Sequence, residues 1–353
     1  MTALGKSLIL VKKDESPQRP QSGGACVGHR ILLAPTLNSR HTADEGKNMA
    51  TKSFASTERV WLKGNVHSHS TRSDGKLTTD ELLGAYANEG YDFISITDHD
   101  LYATYTYPGL LCIPAVEVSG FFADKPIHLN LLQIGMKSLF QEGHRFTVKD
   151  EAQTLSLIER CRGDYLIALN HPAWSLLTFQ DIAHVEGLSG IEIRNYSTEL
   201  LNGVEGSLHL WESGLRCGKR WLAFGGDDNH NGFVSSAGWP FGNVERDSFG
   251  TWIMANASER SAAALMEALS AGHFYTTEGP EICSFAVIDG HVHVHCSPVN
   301  RIIIKGERRN FVRRLGEGMT ELVAPLNGES RYVRLECTDG QGRNAYSNPI
   351  WLA

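Results

Sequence analysis

The stretch that decides the fold is VWLKGNVHSHSTRSDG, which covers residues 60–75. Its first part is a strand-like apolar run, and His67 and His69 follow at the end of that run. Residues two apart in a strand point to the same face, so both imidazoles can reach one metal ion. Asp74 follows after a turn, directly before Gly75. The sequence therefore predicts a strand that delivers two histidines and a nearby carboxylate to one site.

Six further strand-like runs follow, and helical stretches separate several of them. The runs are residues 91–97, 111–116, 127–134, 165–170, 190–194 and 221–224. Helical periodicity marks residues 79–89, 151–160, 200–216 and 259–271. The first of these helices opens with a capping box, Thr78 with Glu81. Alternating strands and helices predict an α/β fold with a parallel sheet, and about seven strands indicate a TIM-like barrel or a relative with one strand fewer.

The two ends of the chain differ from this middle part. Residues 279–353 hold short alternating runs between Asp-Gly and Asn-Gly turns, which predict a small antiparallel β-sandwich-like domain. Residues 1–55 are polar, rich in helix breakers and without periodicity, so we expect a disordered or dispensable extension, with a targeting arm as the alternative. Met49 is the natural start that we favour. The barrel is expected over residues 56–278.

Charge and composition exclude several classes of protein. The formal net charge is −7, which argues against a stable nucleic-acid complex or adhesion to anionic membranes. No apolar run reaches the roughly 18 residues that a membrane helix needs. The seven cysteines contain no CxxC pair, so neither a zinc ribbon nor a disulfide framework is indicated, and a cytoplasmic location is expected.

Histidines and carboxylates recur at the ends of the predicted strands. One ion needs only about four to six ligands, so nine candidates predict two or three divalent transition-metal ions, with manganese, iron or zinc suited to mixed nitrogen and oxygen donors. A lone histidine at a strand end is more often a hydrogen-bonded core residue, but six in register favour a metal centre. The nine candidates are His67, His69, Asp74, His99, Glu117, His128, His171, Asp228 and His230.

Other polar residues are candidates for roles beside the metal ions. Asp98 precedes His99 and is expected to orient a ligand imidazole. Arg72 and Arg194 are expected at the mouth of the barrel, where a guanidinium can hold phosphate oxygens in two-pronged fashion. A salt bridge on the rim is the alternative for each arginine. A second histidine row in the C-terminal part is interpreted as a solvent-facing strand: His291, His293 and His295.

At these residues the sequence resembles the PHP family, named for polymerase and histidinol phosphatase. The matching motifs are HSH at 67–69, TDH at 97–99, NHP at 170–172 and DNH at 228–230, with Glu117 and His128 between them. The likeness covers about residues 62–231. The TRSDGKL turn and the closing segments around GHFYTTEGPEI and SNPIWL are also similar to stand-alone members grouped with CehA/McbA-type metallohydrolases.

The resemblance implies a distorted seven-stranded (β/α) barrel with up to three metal ions at its C-terminal face. By analogy with the family, His67, His69, Glu117 and Asp228 hold one ion. Glu117 is shared with a second ion, which His128 and His171 also hold. A third ion is implied at Asp74, His99 and His230.

A metal-dependent phosphoesterase is the function that this constellation predicts. A metal-bound hydroxide would attack a small phosphorylated metabolite or nucleotide, since neither a GxSxG elbow nor a phosphate-binding GxxxxGK[ST] loop is present in the sequence. One alternative is a metallohydrolase of a non-phosphate ester, amide or carbamate, which an apolar mouth at Tyr102, Trp174 or Phe233 would favour. A second alternative is a non-catalytic metal-binding module.

Overall fold

The computed structural model describes residues 52–55, 59–135, 137–232, 247–308, 310–326 and 328–352. Most of the expected extension, residues 1–55, lies outside this part of the chain. Its last four residues do take part in the fold, because Lys52 and Ser53 pair with a strand of the C-terminal part and Phe54 is buried. Whether the rest is dispensable stays a prediction.

The described residues form seventeen strands and six helices. Up to residue 257 the strands are β1 (Lys52–Ser53), β2 (Val60–Asn65), β3 (Phe93–Ile94), β4 (Leu111–Cys112), β5 (Ala115–Phe122), β6 (Lys125–Gln133), β7 (Tyr165–Asn170), β8 (Gly190–Asn195), β9 (Leu222–Gly226) and β10 (Trp252–Ala257). They are followed by β11 (Phe274–Thr277), β12 (Ile282–Ile288), β13 (His291–Gly306), β14 (Asn310–Pro325), β15 (Tyr332–Thr338), β16 (Asn344–Ser347) and β17 (Ile350–Trp351). The helices are α1 (Thr79–Asn88), α2 (Glu151–Cys161), α3 (Phe179–Ile182), α4 (Tyr196–Asn202), α5 (Leu208–Arg216) and α6 (Ala262–Ser270).

The strands predicted for the barrel all form, but they divide between two sheets. The larger sheet has the order β1-β12-β13-β15-β16-β11-β10-β2-β3-β4, with β14 beside β13 and β17 beside β15. The smaller sheet has the order β5-β6-β7-β8-β9. Isolated bridges join the two sheets at His99 with Glu117 and at Ser68 with Asn229. The fold is thus mixed α/β, and the described strands do not close into one continuous TIM-like barrel.

The direction of β6 corrects the expectation of a parallel sheet. β2, β3 and β4 are parallel, as are β7, β8 and β9, but β6 runs antiparallel to both β5 and β7. The cause is the two-residue connection Ala123–Asp124, whose φ angles of 50° and 61° form a tight hairpin in place of a helical crossover.

Three of the six helices, α1, α2 and α6, lie where the sequence predicts them, and α3 is not predicted. α1 begins with the expected capping box, in which Thr78 N donates to Glu81 Oε2 at 2.8 Å. The single helix predicted over residues 200–216 is wrong, because Gly203 takes a φ of 64° that ends α4 before α5 begins. In the described part of the chain, no helix has both the length and the apolar character that crossing a membrane requires.

The C-terminal strands are antiparallel, as the sequence predicts. They do not form two separate sheets, since hydrogen bonds continue from β16 through β11 and β10 to β2 among the described strands. Their apolar core includes Phe285, Ile304 and Leu335, all fully buried. The sheet of the C-terminal strands therefore continues into β2, the strand that precedes the two histidines of the opening motif.

A buried ion network fixes the C-terminal strands against the helical layer. Arg334 of β15 is almost fully buried and pairs with Glu212 of α5 and with Glu336 at 2.8 Å. Lys305 of β13 contacts the same Glu212 carboxylate at 3.1 Å. Burying a charge is costly unless it is paired, so this arrangement holds only while α5 and β15 stay together.

Candidate metal centre

The first two histidines follow the end of β2. His67 and His69 lie in an extended stretch beyond Asn65, and their ring centroids are 5.3 Å apart. Backbone hydrogen bonds hold this stretch on both sides: Thr97 N donates to Ser68 O at 2.8 Å, and His69 N donates to Asn229 O at 3.1 Å. The two imidazoles are completely buried.

The loop that carries Asp74 depends on a glycine. A Cβ on Gly75 would lie 2.3 Å from the carbonyl oxygen of His69, so the chain can return this closely only because Gly75 has no side chain. The return places Asp74 Oδ1 3.8 Å from His69 Nδ1 and Asp74 Oδ2 3.7 Å from His99 Nε2. His230 Nε2 lies 3.4 Å from the same carboxylate. Asp74, His99 and His230 therefore form the more exposed edge of the cluster.

Glu117 is the centre of the cluster. It lies near the start of β5, its side chain is fully buried, and five imidazole nitrogens surround its two oxygens. A carboxylate in that position can bridge two ions. The five contacts are His67 Nε2 at 3.1 Å, His69 Nε2 at 3.2 Å, His99 Nδ1 at 3.1 Å, His128 Nδ1 at 3.3 Å and His171 Nε2 at 3.2 Å.

Asp228 supplies the second buried carboxylate. It follows β9 with a φ of 52°, a strained conformation for a residue other than glycine. Its Oδ1 lies 3.0 Å from the Nε2 atoms of both His67 and His69, and its Oδ2 lies 3.8 Å from His171 Nε2. The strained backbone therefore aims this carboxylate at the two buried histidines.

The described residues contain three sets of ligand atoms close enough to hold an ion. Within each set the ligand atoms lie within 4.8 Å of one another. Eight of the nine predicted ligands belong to these sets, and His171 lies beside them through its contact with Glu117. The sets are His67, His69, Glu117 and Asp228; His69, Asp74, His99 and His230; and His99, Glu117 and His128.

The chemistry of the cluster fits divalent transition-metal ions. Four of its buried polar atoms have no hydrogen-bond partner: His67 Nε2, His69 Nε2, Glu117 Oε2 and His171 Nδ1. Buried polar atoms are rarely left unpaired, and three of these four face the space between Glu117 and Asp228. Imidazole nitrogen with carboxylate oxygen is a donor set that zinc, iron and manganese accept.

Electrostatics keep the two central carboxylates ionised. Burial raises the pKa of Glu117, but His67 and His128 outweigh burial and hold that pKa well below its usual range. The pKa of Asp228 is likewise held well below its usual range, since His67 and His69 outweigh burial. Burial lowers the pKa of His69, yet the neighbouring carboxylates of Asp228 and Glu117 outweigh it and raise the pKa to about 10. The two carboxylates therefore stay ionised and attract positive charge.

A buried carboxylate that the sequence analysis did not select holds two of the histidines. Glu192 of β8 accepts a hydrogen bond from His67 Nδ1 at 2.9 Å and another from His171 N at 2.9 Å. It also accepts from Asn195 Nδ2 at 2.8 Å. A carboxylate on the far nitrogen of a ligand imidazole fixes which ring nitrogen faces the metal. The available signal was an acidic residue between two isoleucines in the buried strand GIEIRN.

Two asparagines complete the support of the central carboxylates. Asn170 Nδ2 donates to Glu117 Oε1 at 2.8 Å, and Asn195 Nδ2 donates to Asp228 Oδ2 at 3.1 Å. Both asparagines are buried and end strands of the smaller sheet. Their amides fix the orientation of both carboxylates without adding charge.

Asp98 has a different set of partners from the one expected. Its carboxylate accepts hydrogen bonds from Ser70 N at 2.8 Å, Ser70 Oγ at 2.7 Å and Ser73 Oγ at 2.7 Å. Among the described contacts of Asp98 none is with a ligand imidazole. It therefore holds the loop between His69 and Asp74, and Ser73 Oγ links it to a ligand imidazole, since this oxygen lies 3.5 Å from His69 Nδ1.

The two arginines are already paired with carboxylates. Arg194 pairs with both Glu199 and Glu278. Arg72 is more exposed, with NH1 3.6 Å from Glu142 and a hydrogen bond to Tyr105 Oη at 3.1 Å. These contacts agree with the alternative expectation of a salt bridge for each arginine. A phosphate-binding role for either arginine stays a prediction.

The aromatic residues expected at an apolar mouth separate into three cases. Tyr102 is buried and its hydroxyl donates to Gln133, so it does not line an opening. Trp174 is 40% exposed and lies against His128 and His171. Phe233 lies outside the described residues. In the C-terminal part, His291 is exposed and His293 and His295 are partly exposed along β13, apart from the three ligand sets.

Comparison with known proteins gives matches among solved structures alone. No family model matches the chain, and no curated protein matches it. A two-domain protein from Bacteroides vulgatus, described as containing a predicted PHP-like metal-dependent phosphoesterase, is 16% identical with a TM-score of 0.46, over 86% of this chain and 95% of that chain. An amidohydrolase from Chromobacterium violaceum with bound sulfate and no metal is 17% identical with a TM-score of 0.34, over 47% of this chain and 87% of that chain. The chain is therefore similar in structure to a PHP-like protein, and at these TM-scores the likeness carries no argument about its reaction.

Proposed function

We propose that this chain is a cytoplasmic metal-dependent phosphoesterase that hydrolyses a small phosphorylated metabolite or nucleotide. The observation that supports the proposal most strongly is the buried Glu117 carboxylate with five imidazole nitrogens within 3.3 Å. The packing of a protein core does not require five histidines around one acidic side chain. A centre for two or three divalent ions does require such a carboxylate, because its negative charge offsets the mutual repulsion of the ions.

The residues that would hold the ions are the nine predicted from the sequence. Divalent ions bound there lower the pKa of water and offset negative charge on the oxygens of a phosphoryl group. The chain itself contributes the orientation of the ligands. Glu192 keeps the Nδ1 proton of His67, so that Nε2 is the atom that faces Glu117 and Asp228.

Phosphoryl transfer is the reaction that such a centre would accelerate most. Its transition state spreads charge over several oxygens, so catalysis depends mainly on positioning and on positive charge. Three overlapping ligand sets supply places for more than one cation within a few ångströms. A single ion would leave part of this ligand set unused.

The test uses the full chain, stripped of metal and then supplied separately with manganese, iron or zinc. Hydrolysis of p-nitrophenyl phosphate, bis-p-nitrophenyl phosphate and p-nitrophenyl acetate separates phosphoesters from a carbonyl ester that has the same leaving group. We expect metal-dependent release of nitrophenol from at least one phosphoester, and a panel of phosphorylated metabolites then narrows the substrate. Full metal loading without turnover of any ester would favour a non-catalytic module.

A second candidate is a hydrolase of a non-phosphate ester, amide or carbamate. Two observations favour it: Trp174 is exposed beside the cluster, and Arg194 is paired with two carboxylates. Metal-dependent hydrolysis of p-nitrophenyl acetate, with both phosphoesters left intact, would select this candidate.

A further inference from the structure

Trp174 lies directly against two residues of the cluster. Its indole stacks on His128 with a ring-centroid distance of 5.9 Å and an interplanar angle of 25°. It meets His171 edge to face at 5.3 Å and 78°. Both histidines contact Glu117, so Trp174 stands next to the place where a substrate bound at the ions would react.

The turn that carries Trp174 is fixed by its own hydrogen bonds. Trp174 N donates to His171 O at 2.9 Å, and Leu177 N donates to Pro172 O at 3.0 Å. Ala173 N donates to Ser207 Oγ at 3.1 Å, which ties the turn to the segment before α5. The indole therefore keeps its place beside the cluster without help from a ligand.

Two large apolar side chains of this turn face solvent. Trp174 is 40% exposed and Leu176 is 78% exposed, which places both among the most exposed large apolar residues of the described chain. Exposed apolar surface gains from contact with an apolar group, and an aromatic ring adds a preference for stacking. The ammonium group of the nearby Lys125 is paired with a carboxylate, since its Nζ lies 2.8 Å from Asp181 Oδ2.

We propose that Trp174 is a substrate-binding residue that stacks on an aromatic ring of the group esterified to phosphate. This inference rests on the proposed phosphoesterase function and narrows its substrates to phosphoesters with a planar aromatic group. The ring would belong either to an aryl alcohol or to a nucleoside base. Metal ions held by the cluster would bind the phosphoryl end, and Trp174 would select what is attached to it.

The test measures binding of phosphonates, which cannot be hydrolysed, to the metal-loaded full chain by titration calorimetry. The probes are methylphosphonate, phenylphosphonate and a nucleoside 5′-methylenephosphonate. We expect the wild type to bind phenylphosphonate or the nucleoside probe about tenfold more tightly than methylphosphonate. The tighter of the two ring-bearing probes identifies the source of the ring.

The variants Trp174→Ala and Trp174→Phe separate stacking from structural support. Trp174→Ala should remove the preference for ring-bearing probes and leave methylphosphonate affinity and metal content unchanged, while Trp174→Phe keeps most of the preference. Leu315→Ala, a change at another exposed apolar residue, is the control and should change nothing. A preference that survives Trp174→Ala, or an equal loss of affinity for all probes together with loss of metal, overturns the inference. Absence of binding of all three phosphonates in the metal-loaded wild type contradicts the phosphoesterase function itself.

Discussion

Glu117 shows how one residue can organise a whole site. Five histidines from four separate segments meet its two oxygens, and Asn170 fixes its orientation. A side chain with that many ligand neighbours is shared by whatever ions bind there. Its loss should therefore cost more than the loss of any single ligand at the edge of the cluster.

The first prediction is that Glu117→Ala lowers both metal content and hydrolysis. The removed carboxylate no longer offsets the repulsion between neighbouring ions, so we expect a loss of at least the roughly 10–100-fold that is typical when a ligand's supporting partner is removed. Elemental analysis and rate measurements on the same preparation check this. His293→Ala on β13 is the control and should change neither quantity. The reverse pattern would place the site in the C-terminal strands.

The second prediction concerns Glu192, which holds His67 and His171 without belonging to the ligand sets. Glu192→Gln keeps the shape of the side chain but removes the charge that stabilises the Nδ1 proton of His67. We expect metal affinity to fall by roughly 10–100-fold while the fold is kept. Competition with a chelator measures the affinity, and circular dichroism checks the fold. Glu259→Gln, at an exposed position, serves as the matched control; equal effects of the two variants would contradict the role of Glu192.

The sequence predicted the metal ligands better than it predicted the residues that hold those ligands in place. The ligand types stand out because His and acidic residues are unusual at strand ends, and the structure brings all nine predicted positions together. Glu192 was missed because its partner His67 is 125 residues away along the chain. The contact between Glu192 of β8 and His67 depends on how the two sheets are placed against each other. No local sequence pattern records that placement. Asp98 reaches a ligand imidazole only by way of Ser73, whose Oγ donates to Asp98 and lies 3.5 Å from His69 Nδ1, and a role for Asp98 in catalysis stays a prediction.

At the scale of elements, the strands were predictable and the connections were not. The apolar runs identify β2, β3, β4 and β6 through β9, because a buried strand needs apolar side chains. β5 was predicted only in its first two residues, as the end of the run over 111–116. The hairpin between β5 and β6 was missed since its turn residues are Ala123 and Asp124 and lack the Asn-Gly or Asp-Gly pair that marks such turns. The break between α4 and α5 was missed, although Gly203 and Gly206 both lie between the two helices.

The third prediction belongs to the loop between His69 and Gly75. In Gly75→Ala the new methyl group would lie 2.3 Å from the His69 carbonyl oxygen, so the loop must move and carry Asp74 away from His99 and His230. We expect a loss of about 1–3 kcal/mol in the free energy of unfolding. A lower metal content should accompany that loss. Thermal unfolding and elemental analysis check both, with Gly316→Ala as a control because its Cβ would meet nothing closer than 3.4 Å. An unchanged Gly75→Ala protein would show that the loop does not need this close approach.

At the scale of the whole molecule, the number of ligand sets determines the metal content that we expect. The fourth prediction is two to three transition-metal ions per chain after growth with adequate metal. Removing them should lower the melting temperature, because an ion that binds only the folded state stabilises it, by about 2.7 kcal/mol at a free concentration one hundred times its Kd. Elemental analysis and melting curves with and without a chelator measure both effects. Fewer than one ion per chain would contradict a shared centre.

The fifth prediction separates the two parts of the N-terminal segment. A chain that starts at Met49 should fold and hydrolyse as the full chain does, since the predicted extension has no periodic pattern. A chain that starts at residue 59 should be less stable, because it loses the pairing of β1 with β12 and the buried Phe54, a side chain whose removal typically costs about 3–5 kcal/mol. Melting temperatures of the two truncated proteins decide this. Equal stability of the two would mean that β1 contributes nothing.

The reversed strand β6 has a consequence for how this molecule could acquire new specificity. Beyond the pair of Ser119 with His128, the β5–β6 hairpin continues for three more residue pairs before it turns, and Lys125 ties it to Leu176 O at 2.9 Å. Its tip thus lies beside the turn that carries Trp174 and Leu176, and no predicted ligand lies in it. Residues inserted at the tip would extend the surface next to this turn while every ligand keeps its place. Evolution, or a protein engineer, can therefore change the size of the admitted molecule at this tip and leave the chemistry below it unchanged.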